Sequence, residues 1–201
     1  MPSKTGSRRQ RTASKGCERV KKRIIGVIGG SGAGKSEVSA WFQGRGYAHI
    51  DGDKIAREVT GPGSPCLLEL AEVFSNRILN PDGTLDRKAL GKLVFSDPLK
   101  LEGLNRITHR YIVERMKEHL AALPDDSPGA VVDAAALIES GFHKECDPII
   151  AVFAPRAVRI ARIVARDNLT EDEAARRIDA QKDDAFYRAH ADFSIENSGD
   201  R

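Results

Sequence analysis

Short runs dominated by apolar residues recur along this chain of 201 residues, and segments with a helical pattern separate them. The runs cover residues 24–28, 47–50, 130–133, 149–153 and 191–195. Short, continuous apolar runs are typical of strands that are buried on both faces of a parallel sheet. Because the apolar residues between them recur every three or four positions, the pattern predicts an α/β fold. We expect a parallel five-stranded sheet between two layers of helices.

Polar residues and prolines mark the ends of several predicted helices. Ser64 and Pro65 begin one helix, Asp86 can cap the next, and Pro98 begins a long third helix. These three helices are predicted over residues 65–74, 87–95 and 98–123. Since all of them fall between the second and third predicted strands, residues 61–123 are expected to form a helical insertion.

A glycine-rich loop connects the first predicted strand to the first predicted helix. Residues 29–36 read Gly-Gly-Ser-Gly-Ala-Gly-Lys-Ser, which fits the phosphate-loop pattern G-x-x-x-x-G-K-[ST]. Glycines let backbone N–H groups approach a bound anion closely, and the following helix presents its positive end to the same anion. Lys35 can contact the β- and γ-phosphates of a nucleotide, and the Ser36 hydroxyl can bind Mg²⁺. The other predicted nucleotide contacts here are Gly29, Gly30, Gly32, Ala33, Gly34 and Glu37.

Carboxylates follow the second and third predicted strands. Asp51 and Asp53 come directly after the second strand, and Asp133 ends the third. In an open α/β sheet, ligands bind where the carboxyl ends of the strands meet. Either Asp51 or Asp53 could instead cap the helix that follows. For Asp53 the role of general base is favoured, while Asp51 fits a substrate contact or a helix cap equally well. Asp133 is placed to support Mg²⁺, and Arg57 is free to meet an anion.

An arginine-rich segment follows the fourth predicted strand. Arg159, Arg162 and Arg166 are three and four residues apart, so they share one helix face. Thr170 and Glu173 predict a capping box that begins another helix, which carries Arg177. Two short helices rich in arginine suit a lid over residues 155–181 that closes on ATP. A solvated face balanced by acidic neighbours is the alternative.

Charge is distributed unevenly along the chain. Residues 1–23 hold nine Lys or Arg and one Glu, so the net charge of this tail is +8. Because the net charge of the whole chain is +3, residues 24–201 carry −5. The tail is predicted to be disordered, and an extension without function is favoured over a basic arm or a transit-like segment. A mildly acidic folded part argues against nucleic-acid binding.

Cysteine usage and hydropathy indicate the compartment. Cys17, Cys66 and Cys146 are odd in number and lack metal-ligand spacing, so we expect reduced thiols in a cytoplasmic protein. No apolar run approaches the length of a membrane span. The expected assembly is a monomer or a small homo-oligomer without a membrane partner.

Taken together, these segments resemble the dephospho-CoA kinase family over residues 24–199. The segments that carry the resemblance are residues 26–36, 51–59, 79–90, 104–109, 162–167, 177–181 and 191–197. The resemblance implies a P-loop kinase fold in which residues 61–123 form the CoA-substrate lobe. It also implies transfer of a phosphoryl group from ATP, with Mg²⁺, to the ribose 3′-hydroxyl of dephospho-CoA.

The resemblance also implies roles for individual residues. Asp53 takes the base role toward the 3′-hydroxyl, and Arg162 and Arg166 belong to the lid. Arg57 and His109 fall in segments that face the CoA substrate. Without the resemblance, the position of His109 on the long helix would indicate a solvated or core-edge histidine. Asn197 falls in the loop beside adenine.

Some residues depart from the usual family pattern. Ala135 and Ala136 replace a proline and a leucine, which thins the expected packing of the acceptor pocket. Glu37 replaces a threonine and adds like charge near the phosphates.

Two other functional classes fit parts of the sequence. A related small-molecule or nucleoside monophosphate kinase would share the same strand, loop and lid. A GTP-dependent switch, or a nucleotide-binding module without turnover, would use the loop alone. The switch would need a guanine-reading Asn-Lys-x-Asp, and the nearest stretch, residues 181–184, lies in a polar helical context.

Overall fold

The computed structural model describes residues 22–199, in which five parallel strands form one sheet. The order across the sheet is β2-β3-β1-β4-β5. The strands are β1 (Arg23–Ile28), β2 (Ala48–Asp51), β3 (Gly129–Asp133), β4 (Ile149–Phe153) and β5 (Phe193–Glu196). The predicted parallel five-stranded α/β fold is therefore confirmed. The last strand starts two residues later than the apolar run suggests and ends at Glu196.

Eight α-helices lie within the described residues. They are α1 (Lys35–Gln43), α2 (Gly52–Val59), α3 (Pro65–Phe74), α4 (Arg87–Val94), α5 (Pro98–Ala121), α6 (Arg156–Asp167), α7 (Glu171–Asp179) and α8 (Asp184–Ala189). The side chains of Ser64 and Asp86 accept hydrogen bonds from the first turns of α3 and α4, as predicted. The capping box of Thr170 and Glu173 at the start of α7 is also present. The short helix α8 was not predicted.

The two faces of the sheet have different cores. On one face, Ile28, Val132 and Ala151 pack with Met116 of α5 and Tyr187 of α8. On the other face, a smaller cluster of buried strand residues is covered by α1. That cluster contains Val27, Val131 and Val152, with Val38 and Phe42 of α1 packed against it. The sheet is thus the middle layer of three.

The helical insertion and the arginine-rich segment have small cores of their own. Helices α3 to α5 bury an apolar cluster that includes Leu70, Leu90 and Ile107. Helices α6 and α7 pack around Ile163 and Ile178. Each segment is therefore a packed unit attached at the carboxyl edge of the sheet, where β2, β3 and β4 lead into the loops that follow them.

The basic tail predicted for residues 1–23 lies outside the described residues, apart from Lys22 and Arg23, and so does Cys17. Within residues 22–199, no helix is long and apolar enough to cross a membrane.

Candidate active site

A cleft of about 840 Å³ opens at the carboxyl edge of the sheet. The glycine-rich loop, the start of α2, the end of β3 and the inner faces of α6 and α7 line it. The predicted site residues that it brings together are Gly29, Gly30, Gly32, Gly34, Lys35, Asp51, Asp53, Arg57, Asp133, Arg162, Arg166 and Arg177. The predicted residues that do not line it are Ala33, Ser36, Glu37, His109 and Asn197.

The glycine-rich loop takes backbone conformations that other residues adopt only with strain. Gly34 has a φ of 103° and is the N-cap residue of α1. A Cβ at this position would lie 2.0 Å from Nδ2 of Asn197. Lys35 begins α1 and its Nζ donates to the carbonyl oxygen of Gly29 at 3.0 Å, so its charge lies over the loop. In the first turn of α1, the N–H of Glu37 donates to the Gly34 carbonyl oxygen at 3.0 Å. The N–H groups of Lys35 and Ser36 lack intrahelical acceptors and are available to an anion.

The carbonyl oxygens of the loop are bound by residues from the opposite half of the chain. Arg162 Nη1 donates to the carbonyl oxygens of Gly32 and Ala33 at 3.2 and 3.3 Å. Asn197, just after β5, donates from Nδ2 to the Ala33 carbonyl at 3.1 Å and to Glu37 Oε2 at 2.9 Å. The Asn197 amide therefore fixes the back of the loop, and the Glu37 carboxylate is part of that contact.

The predicted carboxylates lie side by side. Asp51 and Asp133 are partners in the β2–β3 register. Asp51 Oδ1 accepts from the backbone N–H of Lys54 at 3.0 Å, so Asp51 caps α2 as well as lining the cleft. Asp53 lies in the first turn of α2, where it is not the cap.

Charges around Asp133 show how close these groups are. Burial raises the pKa of the Asp133 carboxyl, and the charges of Lys35 and His49 oppose this shift. The carboxylates of Asp53 and Asp51 raise the pKa of Asp133 further. One cation of the loop and three strand-end carboxylates therefore lie within electrostatic reach of one another.

The arginines of α6 have separate environments. Arg166 donates from Nε and Nη2 to the carboxylate of Asp167, both at 2.8 Å, and Arg177 Nη1 donates to it at 2.6 Å. These contacts, with that of Arg166 the strongest, lower the pKa of Asp167 to about 2. The pKa of Arg166 is raised chiefly by Asp167, and the carboxylate of Asp53 adds to the shift. Arg166 thus faces the candidate base across the cleft.

Several cleft residues were not predicted as site residues. They are Ser31, Lys54, Ala135, Glu139, Asp167, Ala180, Gln181, Lys182 and Tyr187. Burial lowers the pKa of His109, and the charge of the Glu139 carboxylate opposes this shift, so the two side chains lie within electrostatic reach of each other. Glu139 could have been suspected from its position after β3, but Tyr187 comes from the unpredicted helix α8.

A protein-family model described as dephospho-CoA kinase matches residues 23–201. The dephospho-CoA kinase of Anaeromyxobacter dehalogenans is 41% identical over 178 residues, which cover 88% of this chain and 84% of that protein. The dephospho-CoA kinase of Moorella thermoacetica is 40% identical over 179 residues, with the same coverage of both chains.

Solved structures of other proteins share this fold over most of the chain. TT1252 from Thermus thermophilus matches with a TM-score of 0.74 and 32% identity, over 89% of this chain and 90% of that one. A dephospho-CoA kinase from Campylobacter jejuni matches with a TM-score of 0.65 and 28% identity over the same shares. Shikimate kinase from Acinetobacter baumannii has a TM-score of 0.52 and 15% identity over 90% of this chain and 86% of that one, which shows a shared fold alone.

Proposed function

The chain belongs to the dephospho-CoA kinase family, which phosphorylates dephospho-CoA to coenzyme A, and we propose how this chain's own residues perform that transfer. ATP is the phosphoryl donor, and the acceptor in our proposal is the ribose 3′-hydroxyl. One observation carries the assignment of roles. The phosphate loop, the strand-end carboxylates and two arginines of α6 all line a single cleft.

The donor end is the side formed by the loop and α6. The N–H groups at the start of α1 bind the phosphates of ATP, and Lys35 contacts the β- and γ-phosphates. Arg162 and Arg166 neutralise charge on the phosphoryl group as it is transferred, because guanidinium groups form strong hydrogen bonds with phosphate oxygens. Arg177 holds Arg166 in place through their shared partner Asp167.

The acceptor end is the side formed by β2, α2 and β3. Asp53 accepts the proton of the acceptor hydroxyl as that oxygen attacks the γ-phosphorus. Asp51 and Arg57 bind the acceptor from the same side. Lys54 also lines the cleft here and can contact an acceptor phosphate. His109 supports the acceptor side of the cleft, and Asn197 lies beside the adenine of ATP.

Asp133, which lines the cleft, and Ser36, which follows the cleft residue Lys35, also fit a magnesium ion. Asp133 is a partly buried carboxylate beside the phosphate loop, and Ser36 is the second residue of α1. Among residues 22–199 there is no group of three or more His, Cys, Asp or Glu side chains that could hold a metal by themselves. This suits Mg²⁺, which is usually held by one or two protein ligands together with waters and substrate phosphates. When bound, the ion would neutralise charge on the β- and γ-phosphates.

The expected compartment is the cytoplasm. Cys66 and Cys146 are free thiols within the described residues, as suits a reducing environment.

A substrate panel tests the proposed acceptor. The protein is incubated with ATP, Mg²⁺ and either dephospho-CoA, its 3′-deoxy analogue, AMP or adenosine, and products are identified by mass spectrometry. We expect coenzyme A from dephospho-CoA, no product from the 3′-deoxy analogue, and far slower transfer to AMP and adenosine. Faster transfer to AMP would instead identify a nucleoside monophosphate kinase.

A further inference from the structure

The three polar groups of Ser31, in the phosphate loop, are all bound by two distant side chains. The Ser31 N–H donates to Gln181 Oε1 at 2.8 Å, and Gln181 Nε2 donates to the Ser31 hydroxyl at 2.9 Å. Arg159 Nε donates to the Ser31 carbonyl oxygen at 2.9 Å. Arg159 Nη2 also donates to Gln181 Oε1 at 3.3 Å, so the two side chains contact each other as well as Ser31.

The contact with Arg159 determines where the next N–H group points. In a planar trans peptide, the carbonyl of one residue and the N–H of the next point in opposite directions. Arg159 holds the Ser31 carbonyl on the α6 side of the loop. The N–H of Gly32 therefore points away from Arg159, and Gly32 itself lines the cleft.

Arg159 is itself held firmly in place. It is a charged residue that is only 9% exposed, and Asp184 at the start of α8 lies 3.9 Å from its Nη1. A Cβ added to Gly30 would lie 2.2 Å from Arg159 Nη2, and one added to Gly32 would lie 2.6 Å from the Arg159 carbonyl oxygen. The loop and Arg159 therefore pack so closely that neither Gly30 nor Gly32 has room for a side chain.

We propose that Gln181 and Arg159 are positioning residues for the phosphoryl donor. They fix Ser31 so that the loop N–H groups are oriented for phosphate before ATP binds, which spares ATP the cost of ordering them. The inference rests on the proposed use of this loop for ATP. It adds two residues that act through Ser31, whereas Arg162 and Arg166 are proposed to contact the phosphates.

Steady-state kinetics on the full chain test the proposal. Gln181→Leu keeps the size of the side chain and removes three hydrogen bonds, so we expect the KM for ATP to rise about tenfold. The KM for dephospho-CoA should change less than about twofold, since the acceptor end is untouched. Arg156→Leu is the matched control, because Arg156 also joins α6 to α7, through Asp179, but has no contact with the loop.

A purely structural role would give a different pattern. It would lower the thermal midpoint and the active fraction while leaving the KM for ATP unchanged in Gln181→Leu, and that result would overturn the proposal. Titration of each variant with ATP in the absence of an acceptor separates this inference from the proposed reaction. Weaker ATP binding by Gln181→Leu supports the positioning role even if no coenzyme A forms. Equal ATP binding refutes it even if coenzyme A forms normally.

Discussion

Substitution of Gly34 by alanine should destabilise the protein in two separable ways. First, Gly34 has a φ of 103°, a conformation that costs a residue with a Cβ about 1–2 kcal/mol. Second, the new Cβ would lie 2.0 Å from Nδ2 and 3.2 Å from Cγ of Asn197. Because Nδ2 is the end of a side chain, we expect Asn197 to move aside rather than the loop.

The cost of moving Asn197 follows from its contacts. Its amide donates to the Ala33 carbonyl and to Glu37, and its Oδ1 accepts from Arg162 Nη2 at 3.3 Å. Two of these three partners are charged, but the site is only partly buried, so their loss should cost about 2–4 kcal/mol. Gly34→Ala should therefore cost about 3–6 kcal/mol in total.

A double-mutant cycle measured by urea denaturation tests this reasoning. Asn197→Ala alone should cost about 2–4 kcal/mol, and the double variant should cost no more than Gly34→Ala alone. Gly83→Ala is the matched control, since Gly83 has a φ of 79° but no atom within 4 Å of an added Cβ. It should cost about 1–2 kcal/mol and be additive with Asn197→Ala. Additive costs for Gly34→Ala and Asn197→Ala would refute the displacement of Asn197.

Two further predictions concern the carboxylates of the cleft. The pKa of Asp167 is lowered in the folded protein to about 2, chiefly by Arg166, so its ion pairs stabilise the fold above the ordinary carboxyl pKa. Asp167→Asn should lower the thermal midpoint at neutral pH, and the difference from the wild type should shrink as the pH falls from about 4 to about 2. A difference that does not depend on pH would contradict the ion-pair assignment. For Asp133, burial raises the pKa, which means that the folded state disfavours the charged form. Asp133→Asn should therefore raise the thermal midpoint measured in EDTA while slowing Mg²⁺-dependent formation of coenzyme A, and a lower midpoint would show that the charge is stabilising.

The sequence predicted those parts of the fold whose signals are local. Continuous apolar runs gave β1, β3 and β4 to within a residue, because strands buried on both faces need apolar side chains at every position. The capping residues Ser64, Asp86 and Thr170 gave helix starts, because a helix N-terminus needs a nearby side-chain acceptor. The phosphate loop and the strand-end carboxylates were also predicted, because each is recognised from neighbouring residues in the sequence.

The contacts between distant parts of the chain could not be predicted in this way. Asn197 and Gln181 reach the phosphate loop over 150 or more positions, and a polar side chain gives no local sign of such a partner. Arg159 was expected on the same helix face as Arg162, as observed. Only the packing of α6 shows that Arg159 binds the loop without lining the cleft, whereas Arg162 does both. Helix α8 was missed because six residues are too few for a helical pattern to be distinct.

Single-turnover formation of coenzyme A by Asp53→Asn tests the central claim most directly, namely that Asp53 takes the proton of the acceptor hydroxyl. Asparagine has the same shape but is a poor proton acceptor. We predict that phosphoryl transfer slows by about 10²–10⁴ while the affinity for ATP stays near that of the wild type. Transfer at the wild-type rate would contradict the assigned role of Asp53.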